Sequence, residues 1–183
     1  DSGQERMAKG QTIGGVRLIR RLGAGGFARV YLGEHMTLKI QVAVKVLSPN
    51  TDSTTAVQRF IAEGNLLKKL QCPHIVHIYD VGEENGKHFM VMEYIDGWSA
   101  EELVNLTRQR GKVGLEQLSA IIVAEATAKG LAALHSADII HRDLKPANIM
   151  IPKTISARAA ATTPQCPGIP QELWFSKLID LGV

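Results

Sequence analysis

The chain has 183 residues, 45% of them hydrophobic, enough for a domain with a real core. Its formal net charge of +3 comes from lysines and arginines scattered along the chain, which excludes a clustered nucleic-acid-binding surface. Two cysteines, Cys72 and Cys166, with no CxxC, exclude a disulfide framework; no second Cys/His pair completes a zinc set with Cys72 and His74, and a reducing compartment is the simple reading. No apolar run reaches ~18 residues, so no membrane-crossing segment is expected. Asp1 to Gln11 is polar, lacks the pattern of a secretory leader, and is expected to be a disordered or vector-derived tail.

From Thr12 to Tyr94 strand signals dominate, with one helix. Val16–Leu22, Ala28–Glu34 and Gln41–Leu47 read as three strands. In the third, Val42, Val44 and Val46 alternate with Ala43, Lys45 and Leu47, as a strand with two differently used faces requires. Thr54–Leu70 reads as a helix, with Asp52 or Ser53 as N-cap and Phe60, Glu63 and Leu67 on one face. Gly64 beside Glu63 weakens that helix by about 1 kcal/mol relative to alanine. Ile75–Val81 and His88–Glu93 read as two more strands around the turn Glu83-Glu84-Asn85-Gly86. From Ala100 onward helices dominate, at Ala100–Arg110 and Leu115–His135. No internal repeat is present.

Leu22-Gly23-Ala24-Gly25-Gly26-Phe27-Ala28-Arg29-Val30 is glycine-rich. Glycines let backbone N–H groups approach phosphate oxygens with no Cβ in the way. Gly23, Gly25 and Ala28 also satisfy the dinucleotide fingerprint, but that motif must open a helix. Here it leads into the β-branched and aromatic run Arg29-Val30-Tyr31-Leu32, and then into the strand carrying Lys45. A lysine inside an apolar strand is costly to bury unless paired, and Glu63 is the acid on the neighbouring helix.

Downstream, His141-Arg142-Asp143-Leu144-Lys145-Pro146-Ala147-Asn148 places a candidate base, cations and a metal-ligand amide in one short polar turn between Ile139-Ile140 and Ile149-Met150-Ile151. Catalytic side chains are commonly displayed in such turns. Lys177-Leu178-Ile179-Asp180-Leu181-Gly182 follows much later.

These segments, in this order, resemble the motifs of a protein kinase domain: a Gly-rich loop, the V-A-I-K strand, the catalytic loop H-R-D-L-x-x-x-N and the D-F-G region. Lysine two residues after the loop aspartate is similar to serine/threonine rather than tyrosine kinases. The resemblance is to eukaryotic-like, Hanks-type serine/threonine kinases of the bacterial kind. It implies an α+β fold, with an antiparallel five-stranded N-lobe carrying one main helix and an incomplete, mainly helical C-lobe. The implied division is 1–11 tail, 12–94 N-lobe, and 95–183 hinge and partial C-lobe.

The resemblance also implies site roles. Leu22 to Val30 would cover the ATP phosphates, and Lys45, paired with Glu63, would hold them. In Phe89-Met90-Val91-Met92-Glu93-Tyr94-Ile95, the hinge, Met92 would be the gatekeeper, with Glu93 C=O and Ile95 N–H facing adenine. Val30, Ala43 and Met150 would sandwich the ring. Asp143 would accept the substrate hydroxyl proton, Lys145 would stabilise the transferred phosphoryl group, and Asn148 and Asp180 would hold Mg2+. Implied partners are protein substrates with Ser/Thr acceptors, in the cytoplasm or on the cytoplasmic side of a larger, membrane-anchored protein. The alternative is an ATP-binding scaffold without catalysis. Ala28 stands where the family has its third glycine, and Leu181 where it has phenylalanine.

Two departures shape the expectations. Pro152 to Trp174 lies where a tight hairpin is usual, and its prolines and glycine predict an irregular, mobile insertion that nucleotide binding can dispense with. The chain also ends one residue after Asp180-Leu181-Gly182, so a fragment of a longer kinase, poorly active alone, is expected.

Overall fold

The computed structural model describes residues 10–48, 54–164 and 166–180. The N-cap expected at Asp52 or Ser53, Leu181-Gly182 and most of the expected N-terminal tail lie outside the described residues. The chain divides into two compact units. One runs to Lys69 and resumes at His77–Tyr94; the other holds Leu70–Val76 and the chain from Ile95 onward.

The first unit is a six-stranded antiparallel sheet with one helix. The strands are β1 (Thr12–Ile13), β2 (Val16–Ala24), β3 (Ala28–His35), β4 (Gln41–Leu47), β5 (Ile78–Glu84) and β6 (Lys87–Glu93), in the order β1-β2-β3-β4-β6-β5. The sixth strand, absent from the sequence expectation, is β1. Gly14 and Gly15 have φ of 56° and 72°, open to glycine at little cost, and turn the chain so that Ile13 pairs with Val16. Gly14 lies over the Phe89 ring, which any Cβ there would strike, and donates its N–H to Glu84 Oε2 at 2.6 Å. Gly10 and Gln11, read from sequence as part of the tail, are bonded to β2: Gly10 N–H donates to Leu18 C=O and Gln11 C=O accepts from Leu18 N–H.

Alternation along β4 follows the expected pattern. Val42, Val44 and Val46 join Val16, Leu18, Tyr31, Phe89 and Val91 in one core. Each such side chain contributes about 1.5–3 kcal/mol when fully buried. Ala43, Lys45 and Leu47 point to the other face. There helix α1 (Thr54–Lys69) packs against β5 and β6. Gly64 is a close-approach residue rather than only a weak point: a Cβ on it would lie 2.7 Å from both Met90 Cε and Val81 Cγ2.

The fifth strand starts three residues later than the apolar run Ile75–Val81 predicts. Ile75 and Val76 are buried, but in the second unit. Ile75 bridges Leu178 in parallel, and Val76 N–H donates to Leu178 C=O at 2.9 Å. The turn after β5 matches expectation: Asn85 and Gly86 have φ of 53° and 73°, as a tight hairpin prefers.

The second unit contains β7 (Gly97–Ser99), β8 (Ile149–Pro152) and β9 (Lys177–Leu178) in an antiparallel sheet, with helices α2 (Ala100–Gln109), α3 (Gln117–His135) and α4 (Ala157–Thr162). Ser99 and Glu102 form a reciprocal capping box that starts α2. Helix α3 is long and apolar enough in composition to cross a membrane, contrary to the reading of apolar runs alone. Its Ile122, Val123, Ala126 and Leu134 are buried, while Glu125 and Lys129 pair at 2.8 Å on an exposed face. The buried positions recur at three- and four-residue spacing, as on a helix packing one side into a core, although Leu118 and Ile121 leave its outer side partly apolar.

The insertion departs from expectation. It contains α4 and a 3-10 turn at Gln171–Phe175. Leu173 is 4% exposed and packs with Ala100, Ile122, Val123 and Ile151; Ile169 and Trp174 lie against the same cluster. Proline and glycine shape its turns, but Ile169, Leu173 and Trp174 tie its far end into the core. The excursion between β8 and β9 is therefore anchored at its far end rather than loose throughout.

Candidate active site

Part of the candidate site lies on the first unit. Strands β2 and β3 meet in the turn around Gly25 and Gly26, closed by Gly25 N–H donating to Ala28 C=O at 2.9 Å. A Cβ on Gly23 or Gly26 would meet nothing within 4 Å, and one on Gly25 only Ala28 O at 3.8 Å. The fold itself gives no packing reason for three glycines here, unlike Gly14 or Gly64. A ligand that needs bare backbone N–H groups supplies one. Leu22 and Ala24 are exposed on the strand end, as is Phe27 at the tip; Ala28 is buried, and Arg29 and Val30 are half-buried.

Lys45 is half-buried between buried Val44 and Val46, opposite Val30 on β3 and Met90 on β6. Directly opposed residues share a face. Met90 is the side chain that Gly64 closely approaches, and Glu63 is the next residue on α1, also half-buried. The helix that carries Glu63 thus lies over the face of the sheet that carries Lys45. Buried Ala43 opposes Met92, and Glu93 donates its N–H to His77 C=O at 2.8 Å.

The second unit carries the densest polar cluster. Asp143 Oδ2 accepts from Lys145 Nζ at 2.6 Å and from Asn148 Nδ2 at 2.9 Å. Asn148 Nδ2 also donates to the Asp143 carbonyl at 2.8 Å, and Asn148 is 6% exposed. Lys145 beside it, then Asn148, hold the Asp143 carboxyl below the ordinary carboxylate range; the same carboxylate raises the Lys145 pKa. Pro146–Asn148 forms a 3-10 turn that delivers Asn148 into β8. From there Asn148 C=O accepts from Ile179 N–H at 3.0 Å, which fixes Asp180 one residue beyond. Met150 opposes Ser99 and Lys177 in the small sheet, and Ile95 is half-buried where the second unit resumes.

Three further features were not singled out from sequence. Arg142 and Asp180 adopt φ of 63° and 52°. Such left-handed conformations cost about 1–3 kcal/mol each in non-glycine residues and cluster at working sites. The third is His141, 2% exposed, whose ring nitrogens reach hydrogen-bond geometry with no described residue. Burial pushes its pKa below the ordinary value, and the nearby Ile179 backbone opposes this only in part. The unfolded chain therefore takes up a proton first. The stability contributed by neutral His141 is present above about pH 6.5 and lost as pH falls toward the folded value. Thermal unfolding at pH 7.5 and 5.5 is expected to show a larger loss for wild type than for His141→Phe. Equal losses would show that His141 is not a source of acid sensitivity.

Asn148 uses its amide nitrogen on Asp143, which leaves Oδ1 as the atom with which it could hold a cation. With the Asp180 carboxylate this makes an oxygen-only pair, which suits Mg2+, an ion that takes few protein ligands and completes its shell with phosphate and water.

Residues 16–183 match the profile of the protein kinase domain family. The chain belongs to the protein kinase domain family. Among relatives of this kinase domain is the serine/threonine-protein kinase PknF of Mycobacterium tuberculosis, 36% identical over 146 residues, covering 79% of the chain and 30% of the relative. PrkC of Bacillus subtilis is 35% identical over 147 residues, covering 79% of the chain and 22% of the relative. The crystal structure of the Mycobacterium tuberculosis PknI kinase domain matches with a TM-score of 0.66 and 31% identity, over 81% of the chain and 59% of that structure. The kinase domain thus has the protein kinase fold, and the chain spans under a third of the length of these curated relatives.

Proposed function

We propose that this chain is the catalytic region of a serine/threonine protein kinase of the bacterial Hanks type, transferring the γ-phosphoryl group of ATP to serine or threonine hydroxyls of proteins. The observation that carries the reading is the closed cluster Asp143–Lys145–Asn148, with Asp180 tied to it through the Ile179–Asn148 hydrogen bond.

Phosphoryl transfer asks little covalent work of a protein; it asks for positioning and charge neutralisation. Asp143 stays ionised at neutral pH because Lys145 and Asn148 donate to Oδ2. Oδ1 then accepts the hydrogen bond of a substrate hydroxyl and points its oxygen along the line of attack. A carboxylate of depressed pKa is a weak base, so it takes the proton as the new P–O bond forms rather than before. Lys145 Nζ stands beside that carboxylate and offers positive charge to the phosphoryl oxygens in flight. Asn148 and Asp180 would hold Mg2+, which when bound neutralises phosphate charge. Lys45, backed by Glu63, would hold the α- and β-phosphates beneath the bare backbone of Gly23–Gly26. Met92, Glu93 and Ile95 would receive the adenine edge, with Val30, Ala43 and Met150 against its faces. The reading puts the chain in the cytoplasm, where ATP is available and cysteines such as Cys72 and Cys166 stay reduced.

Calorimetric titration of ATP with Mg2+ tests the reading. Lys45→Met is expected to weaken binding about 10- to 100-fold, the value of one charge-assisted contact of ~1.5–3 kcal/mol. Equal affinity for variant and wild type would remove Lys45 from the phosphate site.

A further inference from the structure

We propose that the exit of the 153–176 excursion is a clamp that positions Asp180, with His74 and Ser176 as its positioning residues; this rests on Asp180 binding Mg2+ as proposed above. The observations concern one short backbone segment. Ser176 is 1% exposed, and its hydroxyl donates to Leu173 C=O at 2.6 Å, closing the 3-10 turn whose Leu173 is locked in the core. The Ser176 carbonyl faces His74 Nδ1 at 3.2 Å and accepts from it in the Nδ1–H form. Two residues on, Leu178 N–H donates to His74 C=O at 2.9 Å, and Leu178 C=O accepts from Val76 N–H at 2.9 Å. On its other side β9 pairs with β8, and Ile179 N–H donates to Asn148 C=O. Residues 176–179 are thus gripped by His74–Val76 on one side and, on the other, by β8 and the Asn148 carbonyl just before it. Asp180 is the first residue past the grip.

A tight hairpin sets the register of its second strand through the turn. Here the turn is replaced by a long excursion, so register must come from elsewhere. The His74 ring and the Ser176 hydroxyl supply it, one holding β9 to the 70–76 segment and the other holding the excursion's end to Leu173. Gly130 on α3 makes room for the arrangement: a Cβ there would lie 2.7 Å from His74 O and 2.9 Å from Leu178 Cδ1.

The test uses the full-length protein and two readouts: the Mg2+ concentration that half-saturates binding of a non-hydrolysable ATP analogue, and hydrogen exchange of the Leu178 and Ile179 amides without nucleotide. His74→Ala is expected to raise half-saturation about 10-fold, the usual cost of losing an outer-shell partner, and to speed exchange at both amides. His74→Asn is expected to restore both, because its Nδ2 branches from Cγ as Nδ1 does and can donate to the same carbonyl. Gly130→Ala is the second variant. It displaces the clamp while substituting a better helix former in α3, and the same magnesium defect is expected. A folded His74→Ala or Gly130→Ala with wild-type half-saturation, or an asparagine variant no better than alanine, overturns the proposal. A wild type that binds no nucleotide with Mg2+ overturns the functional reading and the proposal with it.

Discussion

Asp143→Asn is expected to lower the rate of phosphoryl transfer by a factor of about 100 to 10,000, the range contributed by a positioned general base. Two donors, Lys145 Nζ and Asn148 Nδ2, converge on Oδ2. An amide that turns its oxygen toward them presents its NH2 group to the substrate hydroxyl, which needs an acceptor. If it turns the other way, NH2 faces two donors and the loop opens. Either way the acceptor is lost while side-chain volume is kept. Asp143 and Lys145 remain 42% and 51% exposed, so their ion pair contributes little to stability. The thermal midpoint and ATP affinity are therefore expected to stay close to wild type. Radiolabelled phosphate transfer to a generic basic protein, using the full-length protein, is the measurement. An Asp143→Asn variant with undiminished turnover would end the base assignment. A wild type without transfer would move the reading to a nucleotide-binding scaffold.

Leu173→Ala is expected to cost about 2–5 kcal/mol, as truncation of a buried leucine does. Leucine 173 is 4% exposed among Ala100, Ile122, Val123 and Ile151, residues that belong to α2, α3 and β8. Removing its side chain leaves a cavity bordered by three elements that cannot all close on it. Chemical denaturation compares it with Val113→Ala, a position 96% exposed, where a change within about 0.5 kcal/mol is expected. A Leu173→Ala cost as small as that control would return the excursion to the status of a surface loop. Excising residues 153–173 for a short turn is expected to be worse still, since it removes Leu173 and Ile169 together.

The difference between what was legible and what was not has physical causes. β4 was legible because its valines and the intervening Lys45 use two unlike faces. The loop from His141 to Asn148 was legible because its polar residues stand at fixed spacing ahead of the apolar β8; the Ile139-Ile140 lead-in forms no strand, and Ile140 is exposed. β1 was not, since Thr12 and Ile13 are too short a run to show periodicity, and two positive-φ glycines create the strand. Ile75-Val76 was read into β5 because apolar residues do not announce which unit will bury them. The excursion was read from its prolines and glycine, although composition describes its turns and not the three apolar residues that anchor it. Gly64 and Gly130 look alike in sequence as helix weakeners; only tertiary contact shows each as the place where another chain segment comes near. His141 was visible as a motif letter, but its buried, unpaired ring nitrogens depend on three-dimensional surroundings.

The excursion between β8 and β9 also bears on the order in which this protein assembles. In a tight hairpin the two strands meet almost as soon as both exist. Here Asn148 leaves the ribosome well before Asp180, and their strands close a long loop, at about 0.6 kcal/mol for each doubling of loop length. Non-local pairings of this kind slow folding. Docking of Leu173 onto α3 would shorten the stretch that must still be closed before β8 and β9 meet. A nascent chain halted before Leu173 would hold the Asp143–Asn148 loop and the β7–β8 pair but lack β9, leaving the other edge of β8 exposed to chaperones and proteases.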